Sequence, residues 1–220
     1  MIKIELNKEL DYEMFNNFWD SKLGMIDFGA RIKRDHPEIS LENYKEYIDN
    51  FYDKNLEVLQ KSADELNEIL AKKQGQFFKA INNIFKEDYS DQEYKGYISI
   101  FDLNPRFPET KTFQVFYNRD ALDKLEVVFH ESVHFAFFDY CDKYLSEKTK
   151  NLDKNSGPLW ELSEVLDTII LNLPEFRKIM EREEKVFYTS LNSKLEIAKG
   201  IWSKYNGDIN GFIKESLIKI

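Results

Sequence analysis

Val127-Val128-Phe129-His130-Glu131-Ser132-Val133-His134-Phe135 lies in a stretch that is apolar nearly all round, and its reading decides the rest of the chain. Leu122, Leu125, Phe137, Phe138 and Tyr140 extend the apolar character on both sides. A helix without a polar face belongs inside a fold. Residues four apart on a helix stack on one face, about one turn from each other. His130 and His134 are therefore placed to reach one ion from a buried position. Two histidines and a carboxylate buried there are costly unless something pairs with them. The pattern H-E-x-x-H supplies a reason: two imidazoles hold zinc, and Glu131 projects beside it to take a proton from water. Only His36, His130 and His134 exist in the chain. Random placement would give the pattern with a probability on the order of a few per thousand, so it is informative.

Working outward, Asp120 is placed to cap this helix, which is expected to run to about residue 147. Before it, 97–101 and 112–117 are rich in β-branched and aromatic residues, with Pro105 and Pro108 between them. They read as a hairpin, or as two neighbouring strands joined by a long turn. Further upstream a short strand at Ile2–Leu6 is followed by a helix at 9–23, and a loop runs through Gly24, Gly29 and Pro37. Ser40 suits an N-cap. Beyond it Leu41, Tyr44, Ile48, Tyr52, Leu56, Leu59, Ala63, Leu66 and Leu70 recur at three- and four-residue steps. That period marks a long amphipathic helix. Gly75 is expected to end it, with a shorter helix through Phe77, Phe78, Ile81 and Phe85.

Downstream, the polar run 148–157 reads as a loop, and Pro158 suits the first turn of a helix that ends before Pro174. The remainder is expected to be helical, broken at Asn206-Gly207. The expected fold class is α+β, mainly helical with a small sheet. A single domain of 1–220 is expected, with a helical N-terminal region at 1–95 and a catalytic half at 96–220.

Composition narrows the partners. The net charge is -9 and the sequence pI about 5.0, with no basic block undiluted by Glu or Asp. A polyanion binder needs such a block, so nucleic acid is not an expected partner. One cysteine, Cys141, permits no internal disulfide. No run approaches the roughly 18 apolar residues of a membrane span, and the first residues lack a signal-peptide core. A cytoplasmic protein without membrane partners is the expectation.

The third metal ligand sets the subclass. A metzincin continues with Gly and His, where this chain has Phe137 and Tyr140. A deformylase-like site needs an upstream cysteine, and Cys141 stands seven residues past His134, about 10 Å along the helix. A carboxylate on a later helix remains, and Glu161 and Glu164 are both offered by the stretch 159–167. On a helical wheel Glu161 falls with Thr168 and Asn172 on the polar side. Glu164 and Asp167 fall at the shoulder of the apolar face, which favours Glu164 as the inward-pointing ligand.

From 112 to 172 the chain resembles the gluzincin, thermolysin-like group of zinc metallopeptidases. It has the strand, the H-E-x-x-H helix, the loop, and a later helix with Ser163-Glu164. Asp167 follows Glu164 by three positions, where the group's orienting acid follows by four. The resemblance implies a zincin-like core, zinc on His130, His134 and Glu164, and a peptide or protein substrate. It also implies that 112–117 receives extended peptide along its edge. Oxyanion support is often a downstream His or Tyr in such enzymes, and here only Tyr188 and Tyr205 follow Glu164. Two alternatives stand beside it: a non-enzymatic helical binding protein with a zincin-like fold, and a metal-dependent hydrolase of a non-peptide substrate.

Overall fold

Alternation at the N-terminus builds the first strand. Ile2 and Ile4 are buried and Lys3 between them is exposed, so β1 (Ile2–Leu6) presents one apolar face. The computed structural model describes residues 1–23 and 26–220, and Gly24 of the expected loop lies outside them. The fold is α+β, mainly helical with a small mixed sheet. The chain forms two compact units, one of 2–72 with 93–128 and one of Met1, 73–92 and 129–220.

The first unit holds the sheet. After β1 come α1 (Lys8–Phe18), the short antiparallel pair β2 (Lys22–Leu23) and β3 (Ile26–Asp27), and α2 (Phe28–Asp35). The expected helix at 9–23 thus stops at Phe18, and Gly29 is helical, not in a loop. Asp27 explains the second departure. Its side chain accepts from the Ala30 amide at 2.8 Å and caps α2. The long helix α3 (Tyr44–Phe85) buries Ile48, Tyr52, Leu59, Ala63, Leu66 and Leu70, whereas Leu41 and Leu56 of the expected stripe are exposed. Ser40 takes part in the turn before α3, where its hydroxyl accepts from the Glu42 amide at 3.3 Å.

The sheet has the order β1, β4 (Tyr94–Ser99), β6 (Thr112–Phe116), β5 (Arg106–Phe107). Both β1–β4 and β4–β6 are parallel, and β5 pairs antiparallel with β6. The two aromatic-rich stretches are therefore neighbours but not a hairpin. The intervening residues first return along β6 as β5. Gly96 faces Ile4 on one side and Phe113 on the other, and a Cβ there would meet their side chains at 2.6 and 2.7 Å. Asn67 of α3 closes the free edge of β1, its amide bonding the N–H and C=O of Ile4 at 2.9 Å each. Buried Asp11 of α1 binds the sheet and α3 together. It accepts from Ser99, Tyr52, Gln114 and the Ile100 amide at 2.6, 2.7, 2.8 and 3.2 Å.

In the second unit, α3 continues past Gly75 to Phe85. A glycine inside a helix costs about 1 kcal/mol, and the buried Phe77, Phe78, Ile81 and Phe85 outweigh that. Phe77 stacks on Phe129 with ring centroids 4.0 Å apart and meets Phe176 edge-on at 5.8 Å. Phe129 belongs to α4 (Ala121–Tyr144), whose first turn Asp120 caps through the Asp123 amide at 2.8 Å. Then follow α5 (Ser146–Thr149), α6 (Gly157–Leu171), α7 (Pro174–Met180), α8 (Asn192–Tyr205) and α9 (Ile209–Lys219). Pro158 lies in the first turn of α6, as its missing N–H allows. Asn206 and Gly207 both take positive φ, 47° and 87°, and turn α8 into α9. From Leu162 to its end α6 is buried on every side, packed on α7, α8 and α9. No helix among the described residues is long and apolar enough to cross a membrane.

Candidate metal centre

The residues gathered around His130 and His134 all belong to the second unit. Its core helix α4 is surrounded by apolar neighbours, with Phe129, Val133, Phe137 and Phe138 at most 2% exposed. One helical turn separates His130 from His134, and their Nε2 atoms face each other at 3.0 Å. The rings meet edge to face, with centroids 4.6 Å apart, and His134 lies parallel to Phe138 one turn on. The His134 side chain is wholly buried and that of His130 is 15% exposed.

From α6, Glu164 brings one carboxylate oxygen to each imidazole. Oε2 stands 3.7 Å from Nε2 of His130, and Oε1 stands 3.6 Å from Nε2 of His134. These distances are long for hydrogen bonds. They suit a shared cation: ligand atoms about 2.0–2.2 Å from a tetrahedral zinc stand about 3.3–3.6 Å from one another. The three donors form one of the two clusters able to hold a metal among the described residues. Glu161, the other candidate on α6, points elsewhere and pairs with Lys194 at 2.5 Å.

The other nitrogen of His130 is held as well. Asp167 Oδ2 lies 2.5 Å from Nδ1, and Glu184 Oε1 lies 3.3 Å from it. A spacing of three suffices for Asp167 because residues three and four apart share a helix face. Glu164 thus addresses Nε2 and Asp167 Nδ1 of the same ring. A carboxylate on the second nitrogen fixes the tautomer and orientation of a metal-binding histidine.

Three carboxylates, Glu164, Asp167 and Glu184, are buried around two imidazoles. Burial works against a charge on His130. The Asp167 carboxylate, helped by Glu164 and Glu184, overrides burial and pushes the imidazole well above its usual pKa. Burial also raises the Asp167 carboxyl, against the pull of His130, and Glu184 and Glu164 add to the rise. Carboxylates gathered in this way beside two imidazoles make an environment that a divalent cation would suit.

Glu131 is buried at 5% exposure, one residue past His130 on α4. Cys141 is fully buried, and burial pushes its thiol pKa up, so it stays protonated in the core. The Tyr205 hydroxyl donates to Glu215 at 2.7 Å, whereas the Tyr188 ring packs at 5.0 Å against Trp160, one turn before Glu164. His36, the third histidine, belongs to the first unit and bonds Tyr47 and the Ile100 carbonyl at 2.9 Å each. Sequence reasoning missed Glu184. It sits in the charged run 181–185, which carries no helical or strand period, and nothing local marks it for burial. Searches against family models, curated proteins and solved structures found no match.

Proposed function

We propose that the chain is a zinc-dependent peptidase with a zincin-like catalytic core, in which His130, His134 and Glu164 hold the metal and Glu131 is the general base. The observation that carries this reading is the convergence of two Nε2 atoms and the Glu164 carboxylate at 3.0–3.7 Å in the interior of the second unit. Two imidazoles and one carboxylate suit zinc, and three protein ligands leave a fourth position for water or substrate. Bound there, zinc would acidify water and polarise a carbonyl.

The chain's own residues do the rest. Asp167 keeps the His130 ring in the tautomer whose Nε2 lone pair faces the gap. Glu131 accepts a proton from the attacking water and delivers it to the leaving amine. The buried Phe138 ring, parallel to His134, keeps the surroundings of low polarity, which strengthens each charge interaction. Peptide as the substrate class rests on the resemblance to gluzincins. The strand expected to receive it, β6, lies between β4 and β5 and is not a free edge. Its Gln114 amide is taken by the Pro105 carbonyl at 2.9 Å, and its Phe116 amide by the Asn104 side chain at 3.0 Å. Strand addition to β6 would require those residues to leave.

Replacing Glu131 with Gln tests the assignment. Glutamine is nearly isosteric and still hydrogen-bonds water, but it cannot take the proton. Glu131→Gln is expected to keep zinc and fold and to lose about two to four orders of magnitude in turnover of a mixed peptide library. Equal turnover by both proteins rejects Glu131 as the base. No turnover by a zinc-loaded wild type, on peptides of varied sequence, favours the binding-protein alternative.

A further inference from the structure

Residues 181–188, Glu-Arg-Glu-Glu-Lys-Val-Phe-Tyr, connect α7 to the turn before α8. Only one of the eight is buried, and it is Glu184, although Val186 and Phe187 were available for burial. A connection that exposes a phenylalanine and buries a carboxylate needs a specific reason, because a buried charge without a partner is expensive. The segment is also anchored along its length. Lys73 donates to the Ile179 carbonyl and to the Glu181 carboxylate at 2.5 and 2.6 Å. The Asn172 side chain bonds both the C=O and the N–H of Glu184, at 2.8 and 3.2 Å. Tyr188 rests on Trp160. The two Asn172 bonds take up the backbone of Glu184 and leave its carboxylate to face His130, with Oε1 at 3.3 Å from Nδ1.

We infer that Glu184 is a positioning residue of the metal centre, which with Asp167 forms a two-carboxylate clamp on Nδ1 of His130. This rests on His130 being a metal ligand. One carboxylate from α6 and one from the 181–188 strap approach the same N–H from different elements, so the ring is held against rotation from two sides. Two negative neighbours also make Nε2 a stronger donor to a cation than one does. The strap thereby ties metal affinity to its own docking: if Asn172 or Lys73 lets go, the clamp loosens.

The test uses the full chain with Glu184→Ala, Glu184→Gln and Asp167→Asn, each measured by chelator competition for zinc and by visible absorption of the cobalt(II)-loaded protein. Glu184→Ala is expected to bind zinc about 10–100-fold more weakly than wild type, with shifted cobalt bands and an unchanged circular dichroism spectrum. Glu184→Gln keeps an acceptor for the N–H but not the charge, and is expected to recover part of the loss. Should the alanine variant not fold, the glutamine variant decides alone, severalfold weaker zinc binding with native dichroism being the supporting result. Wild-type affinity and cobalt spectrum in a folded Glu184 variant overturn the clamp and leave the metal centre standing. A wild type that takes up neither metal overturns both together.

Discussion

At the scale of single residues, the choice between Glu161 and Glu164 turns on where each carboxylate ends. Glu161 is spent on Lys194, and Glu164 stands between the two imidazoles. Glu164→Ala is therefore expected to weaken zinc binding strongly and Glu161→Ala to change it little, in a chelator titration of both variants. The reverse ranking would mean that α6 turns its other glutamate inward. Asp11 allows a second prediction, on stability. Burial pushes its carboxyl from 3.8 to about 6, although Ser99, Tyr52, Ile100 and Gln114 all donate to it and pull the other way. The folded state thus holds the proton more tightly than the unfolded chain. The stability this contributes is complete below the unfolded pKa and is lost as pH rises towards about 6. Over that window, wild-type stability relative to Asp11→Asn should fall by roughly 3 kcal/mol and then level off. Urea denaturation of both proteins at several pH values checks this, and a flat difference would contradict it. The pair His130 and His134 was legible in the sequence because the motif is local. The carboxylates beside His130 Nδ1 were not. Asp167 broke the expected spacing, and Glu184 comes from an irregular segment whose position depends on Asn172 and Lys73, residues 12 and more than 100 positions away.

At the scale of elements, helices were read better than strands because their periodicity is internal to the segment. The apolar stripe of α3 was visible, but its length was not. Gly75 looks like a stop signal, and only the packing of Phe77 and Phe85 overrules it. Gly75 is exposed, and a Cβ there would meet nothing within 4 Å. Gly75→Ala should then stabilise the protein by about 0.5–1 kcal/mol, read as a higher urea midpoint. A lower midpoint would show that the glycine is needed for a contact or a bend. Strand pairing, in contrast, is set by partners far along the chain. Composition marked 97–101 and 112–117 as extended, yet nothing in it tells a hairpin from a parallel pair. In the fold the connection makes the difference: 106–107 return antiparallel along β6 as β5, so the chain enters β6 parallel to β4.

At the scale of the whole molecule, the second unit buries three carboxylates, Glu164, Asp167 and Glu184, around His130. These stand within 2.5–3.7 Å of the imidazoles of His130 and His134. A divalent cation that bound this cluster in the native state alone would raise stability by mass action. Metal content tests the proposed centre most directly. Protein prepared without chelator and supplied with zinc at neutral pH should carry about one zinc per chain, and His134→Ala should lose it. Wild-type protein that remains free of zinc under those conditions would contradict the account.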